Sequence, residues 1–194
     1  MVSCYGSDLT PYDWTIELAP PQPNTPFKYE KDTMMEYIAA NENYSYFYYL
    51  LKKGATAPLL NSLAVNYSVF LPDNNAIRNT FGDYTENVIM NMDKYTAKEI
   101  VLYHILPMFI PLNVLQSSQA MYLETKINNS IHANILCQTK RVSADSPAYT
   151  ILNNKIKVSE QINNKLFQNG LLHGIEQLLI PPEFETTFQD YIIC

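Results

Sequence analysis

Chemistry in this chain would have to run through few groups, since 194 residues include only three histidines and three cysteines. His104 and His173 are the candidates for proton transfer, because imidazole is the side chain whose charge changes near neutral pH. Each lies in an apolar stretch, Ile100-Val101-Leu102-Tyr103-His104-Ile105-Leu106 and Gly170-Leu171-Leu172-His173. A hydrogen-bonded core histidine is the role expected in such surroundings. His132 and Cys137, five residues apart, are two potential zinc ligands, but no third and fourth ligand follows at workable spacing. Asp73 is a candidate acid or base, yet it also stands where a helix needs an N-cap. Cys4, Cys137 and Cys194 are odd in number and lack metal-ligand spacing, so reduced thiols are expected. The sequence has no nucleophile elbow, no patterned carboxylate pair and no phosphate loop. These residues predict no catalytic, metal or cofactor site, and no enzyme.

Composition narrows the choice further. A formal charge of −6 and a pI near 5.0 argue against a general nucleic-acid binder, which needs a basic face to displace counterions. A 47% hydrophobic content suits one globular domain with a core of adequate size. Five glycines against 12 prolines and 15 tyrosines is an unusual balance. No stretch approaches the length of a membrane span, and residues 1–13 lack the pattern of a signal peptide. The expected location is therefore intracellular, or within a virion. An extracellular location would require a leader outside this sequence.

The elements that must carry these residues begin with Tyr67-Ser68-Val69-Phe70-Leu71-Pro72-Asp73-Asn74-Asn75-Ala76-Ile77. Val69, Phe70 and Leu71 predict a strand buried on both faces, closed by Pro72, with Asp73 or Asn74 capping a helix over 76–81. Before it, helices are predicted from an Asp32 cap onward, over 44–53 with Gly54 as the stop, and around Leu59, Leu60 and Leu63. Tyr44, Tyr46, Tyr48 and Tyr49 invite a stacking or carbohydrate reading, but an amphipathic helix with half-buried tyrosines explains them. Helices follow around Val88, Ile89 and Met92, and from a Thr96 cap with Glu99 in capping-box position through Ile105 towards Pro107. The texture then turns to short strands over 121–125, 131–138, 140–143, 149–152 and 155–158, with Asn153-Asn154 as a two-residue hairpin turn. Residues 171–180 predict a strand pair or one bent strand ending at Pro181-Pro182.

Both ends look like arms. Residues 1–29 combine prolines at 11, 20, 21, 23 and 26 with an apolar stripe of spacing two that includes Tyr12 and Trp14. Residues 183–194 place Phe184, Phe188, Tyr191 and Ile192 on one helical face. Tyr12, Trp14, Phe184, Phe188 and Tyr191 are the candidate partner-binding residues, on this domain or on a neighbour.

Helices in the first half and strands in the second make an α+β pattern. Three stretches then resemble the fasciclin domain family. Ser68-Val69-Phe70-Leu71-Pro72-Asp73-Asn74-Asn75-Ala76-Ile77 resembles its first box, Ile100 to Pro107 its Tyr-His box, and Asn169-Gly170-Leu171-Leu172-His173-Gly174-Ile175 through Pro182 its last box. The resemblance covers residues 30–182 and implies a β-sandwich or wedge flanked by α-helices, with no cofactor and no catalysis. It implies structural roles for Phe70, Pro72, Asp73, Asn74, Tyr103, His104, Pro107, Asn169, Gly170 and His173. Gly174 departs from the usual apolar residue, and residues 161–166 lack the Asp-Ile type sequence tied to integrin binding in animal members.

The function expected is non-enzymatic protein–protein interaction, as a scaffold or cement subunit of a large assembly. The Asn-, Tyr- and Ile-rich composition suggests a minor capsid protein of a large DNA virus as one version. The alternative is a cell-surface or secreted adhesion protein. Partners are other proteins, with neither nucleic acid nor a membrane span among the expected contacts. Asn43-Tyr44-Ser45, Asn66-Tyr67-Ser68 and Asn128-Asn129-Ser130 are glycan acceptor triplets that would matter only in the alternative.

Overall fold

A computed structural model describes residues 32–127 and 134–191 of the chain. The arm with Tyr12 and Trp14, Cys4, His132, Asn128, Ile192 and Cys194 lie outside the described residues. Helices α1 (Met34–Ala40), α2 (Ser45–Lys53) and α3 (Ala57–Asn61) precede strand β1 (Tyr67–Pro72). Then come α4 (Asn74–Phe81), α5 (Thr85–Asn91), α6 (Lys94–Tyr103), β2 (Ile105–Leu106) and α7 (Leu112–Leu115). The strand-rich half holds β3 (Ala120–Glu124), β4 (Asn134–Lys140), β5 (Tyr149–Leu152), β6 (Ile156–Lys157), β7 (Lys165–Phe167) and β8 (Gly170–Ile175), before α8 (Pro182–Phe188).

Among the described residues two four-stranded sheets result, ordered β2-β1-β8-β7 and β3-β4-β5-β6. β1 and β8 run parallel at the centre of the first, with Phe70 opposite His173. Both strands are buried along their whole length, which is why β1 reads as a continuous apolar run. Side chains alternate across a strand. Val69 and Leu71 accordingly join the core under the helices, while Phe70 joins the core shared with the second sheet. The layers are helices, mixed sheet and antiparallel sheet, an α+β sandwich flanked by helices.

Local chemistry explains the helix starts, and it moves several of them. Thr33, not Asp32, caps α1: its Oγ1 accepts from Glu36 N while a Glu36 carboxylate oxygen accepts from Thr33 N, a reciprocal capping box. Asp73 caps α4 through a 2.7 Å bond from Ala76 N. Asn74 instead cross-links, accepting from Tyr46 N and donating to Glu42 O and Ser45 Oγ. Asp93, not Thr96, caps α6, because its carboxylate reaches both Tyr95 N and Thr96 N. That helix ends at Tyr103, two residues short of expectation, since Ile105–Leu106 leaves it to pair with β1.

Other corrections concern turns. Gly54 ends α2 with an ordinary φ of −75°, and Ala55 takes the left-handed position at φ 55°. Glycine is required at 54 for another reason: a Cβ there would come within 2.7 Å of Lys98 Cα, so the site is a close crossing of α2 on α6. The β5–β6 hairpin uses both asparagines at positive φ, 49° and 62°, as expected. Its loop holds three residues, not two, because Leu152 pairs with Ile156. Residues 140–143 form no separate strand: Lys140 ends β4 and the chain then turns. The final strand stops at Ile175, and 176–180 is irregular.

Candidate functional site

The two histidines are fixed by opposite hydrogen-bond patterns. His104 follows the last turn of α6, its ring edge-on to Phe47. Its Nε2 lies 3.1 Å from Leu179 N, which can only donate, so Nε2 is the acceptor and Nδ1–H donates to Ile100 O at 2.7 Å. His173 reverses this: Nδ1 accepts from Asn164 N at 3.3 Å, and Nε2–H donates to Ile110 O at 2.9 Å. Both residues are fully buried, and burial pushes each imidazole down to about pKa 4. They are neutral at pH 7, with every ring nitrogen committed to the backbone. Neither has a free nitrogen to offer a substrate.

His173 belongs to a larger clamp. Ile110 N donates to Ser68 Oγ at 2.7 Å on β1, while Ile110 O takes the bond from His173 on β8. Asn164, at φ 51°, feeds the ring from its N–H and accepts from Leu112 N with its side chain. The segment between Pro107 and Pro111, which has no ladder of its own, is thus fastened to the central strand pair. Ser68 and Asn164 were not singled out from sequence, since a serine or asparagine among apolar residues gives no periodic signal.

Asn169 and Gly170 do the same on the helical side. Asn169 Oδ1 accepts from Met34 N at 3.0 Å and its Nδ2 donates to Leu60 O at 2.6 Å, joining the start of α1 to the end of α3. Gly170 has φ +147°, and a Cβ there would lie 2.0 Å from Tyr67 O across the β1–β8 pair. Tyr103 reaches the second sheet, where its hydroxyl accepts from Asn153 Nδ2 and donates to Asn134 O. Pro72 closes β1 and Pro107 follows β2. All ten motif residues thus sit in the scaffold.

Cys137 is buried on β4, and burial pushes its thiol up to about 11. Among the described residues no group of three or more His, Cys, Asp and Glu is placed to hold a metal. Of the helical tyrosines, Tyr44 and Tyr46 are core residues and Tyr48 and Tyr49 are half-buried, as an amphipathic helix requires.

One surface feature among the described residues is aromatic. Along α8, Phe184, Phe188 and the following Tyr191 meet Tyr95, Phe81 and Tyr84 at ring-centroid distances of 6.2, 5.6 and 5.5 Å. The spacing of four and three puts them on one helical face. Phe188 is only 6% exposed and belongs to the core, so it is not free for a partner. Its neighbours are open: Tyr84 is 55%, Tyr95 61% and Tyr191 38% exposed. Tyr84 and Tyr95 were missed from sequence, because each sits singly in a polar stretch and only α8 brings them together.

Comparison with known proteins agrees with this architecture. The family model of the fasciclin domain matches residues 42–181. A solved structure of a FAS1 domain pair from the insect cell adhesion molecule Fasciclin I superposes with a TM-score of 0.62 at 18% identity. The match covers 78% of this chain and 52% of that one, so the chain spans about half the length of that domain pair. No curated protein matches the chain.

Proposed function

We propose that this chain, which belongs to the fasciclin domain family, is a non-enzymatic protein-interaction module serving as a scaffold or cement subunit of a larger assembly. Domains of the family are typically adhesion or protein-interaction modules, without enzymatic activity. The observation that carries the reading is the open aromatic face of Tyr84, Tyr95 and Tyr191 over α8. Tyrosine is enriched at interfaces because its ring supplies contact area at low entropic cost while its hydroxyl tolerates water. The burial of both His104 and His173 supports the non-enzymatic part, since their ring nitrogens are bonded to backbone groups. The Asn-, Tyr- and Ile-rich, Gly-poor composition suggests the minor-capsid version of this role.

Replacing Tyr84 and Tyr95 by glutamate tests the reading. Both side chains are exposed, so the fold and its circular dichroism spectrum should be kept while the subunit no longer cosediments with its native assembly. Unchanged cosedimentation contradicts the proposal.

A second reading, adhesion at a cell surface, is favoured by one observation: Asn43 and Asn66, each in an acceptor triplet, are both exposed. Family members are usually extracellular or at the cell surface, and the superposed insect protein is a cell adhesion molecule. Among the described residues no helix is long and apolar enough to cross a membrane. Mass spectrometry of the natural protein separates the readings: glycan on Asn43 or Asn66 supports adhesion, and unmodified peptides at both support the assembly subunit.

A further inference from the structure

We propose that the cleft at the carboxyl ends of β1 and β8 is a binding site for a lysine side chain of a partner protein, an inference that rests on the interaction-module reading and adds a second contact to it. The cleft holds about 180 Å³ between the start of α4, the end of β8 and the turn at 159–162. Cofactors and drug-sized ligands usually occupy about 300–1,000 Å³, so this volume suits one long side chain. The cleft opens to solvent, because Asn75, Asn79 and Glu176, which line it, are exposed. Gly174 shapes its wall. A Cβ at that position would come within 3.0 Å of Ile162 Cβ and 3.2 Å of Ser159 Cβ. Without one, the 159–162 turn lies directly on β8, tied by Ser159 N to Gly174 O at 2.7 Å and by Gly174 N to Ile162 O. The glycine that departs from the fasciclin pattern thus brings in Ile162 as apolar wall for a methylene stem, alongside Leu71 and the buried Tyr44.

The polar groups of the cleft are acceptors suited to a cation. Asp73 commits Oδ1 to Ala76 N in the α4 cap, which answers the positive end of that helix, and among the described residues Oδ2 remains as an acceptor. Asn79 Nδ2 donates to Glu176 O at 3.1 Å, which fixes the orientation of the amide and leaves Oδ1 to accept. The Glu176 carboxylate is the third acceptor. An ammonium has three N–H donors and no acceptor, which matches this set. A guanidinium favours a planar pair of oxygens, whereas Asp73 and Asn79 offer one each. Among the described residues no Lys or Arg lines the cleft: Lys157 pairs with Glu160 at 3.0 Å, and Arg78 lies over the Tyr46 ring.

Amide NMR of the full chain, titrated with Nα-acetyl-lysine methylamide, tests the site. Saturable shifts should centre on the amides of Asn75, Ala76, Gly174 and Glu176. The norleucine analogue, which keeps the stem without the charge, should give none. Asp73→Asn/Glu176→Gln removes both charges, and asparagine keeps the helix cap, so the circular dichroism spectrum should be retained. In that variant the lysine probe should bind at least about tenfold more weakly, and cosedimentation with the native assembly should fall. Should the pair fail to fold, Glu176→Gln alone, at an exposed side chain, must show the same weakening. Absence of a saturable shift in the unmodified chain overturns the proposal. So does equal binding of the norleucine analogue, tighter binding of an arginine analogue, or unchanged probe affinity in the variant. Weakened probe binding with unchanged cosedimentation overturns the assignment to a partner protein. Tyr84→Glu/Tyr95→Glu should leave the lysine titration unchanged, so the cleft and the aromatic face fail or stand separately.

Discussion

Acidification should destabilise the domain through its two buried histidines. Both imidazoles are held at about pKa 4 against an ordinary 6.5 by burial, partly offset by their bonds to Ile100 O and Ile110 O. A proton on either ring would replace the acceptor facing Leu179 N or Asn164 N with a donor. The unfolded chain binds more protons than the folded one between about pH 4 and 6.5, so stability falls as pH drops through that window, and the loss is complete below about 4. Above pH 6.5 the histidines contribute no pH dependence. At 1.36 kcal/mol per pKa unit, each costs about 2 kcal/mol at pH 5 and about 3 kcal/mol below pH 4. The pair thus removes about 4 kcal/mol at pH 5, out of the 5–15 kcal/mol usual for a domain. With a urea slope of about 2 kcal/mol per molar, the unfolding midpoint should fall by about 2 M between pH 7.5 and 5.0. Asp93, whose carboxyl is held below the usual range by the Thr96 side chain, releases its contribution only at lower pH. His104→Gln/His173→Gln keeps neutral amides at both sites and should flatten the dependence, at some cost in stability at pH 7.5. A wild-type midpoint that moves by less than about 0.3 M, or an equal shift in the double variant, refutes the assignment.

The remaining predictions concern single positions. Gly170→Ala should destabilise by more than about 4 kcal/mol or prevent folding, seen as loss of soluble protein, because its Cβ would meet Tyr67 O at 2.0 Å. Asn169→Ala should cost about 2–5 kcal/mol in thermal denaturation, since it leaves Met34 N and Leu60 O buried without their partner. Cys137, buried and with its thiol raised to about 11, should resist iodoacetamide at pH 8 in the native protein and react once urea unfolds it, as peptide mapping will read.

What could be read from the sequence was local or carried by motif. Val69-Phe70-Leu71 announced a strand buried on both faces because alternation was absent, and Asp73 was legible as a cap because a helix had to start there. Caps one to three residues away were misplaced at Asp32 and Thr96, since side-chain oxygens at adjacent positions compete and the backbone's entry angle decides. The parallel β1–β8 pair joins strands about a hundred residues apart, and no local pattern encodes it. β7 is three residues, too short for a period, and it is a strand because β8 offers it an edge. The histidines were placed correctly in the core, but their opposite tautomers depend on Leu179 and Asn164, which arrive from distant loops. The aromatic face needed α8 to bring Phe184 to Tyr95 and Tyr191 to Tyr84.

The most direct test of an interaction module working through its aromatic face is cross-linking mass spectrometry on the native assembly with an amine-reactive linker. Lys94 and Lys98 are exposed on α6 beside Tyr95, whereas Lys140 and Lys155 are exposed on the second sheet. Links to other proteins should concentrate at Lys94 and Lys98. Links confined to Lys140 and Lys155 would contradict the account.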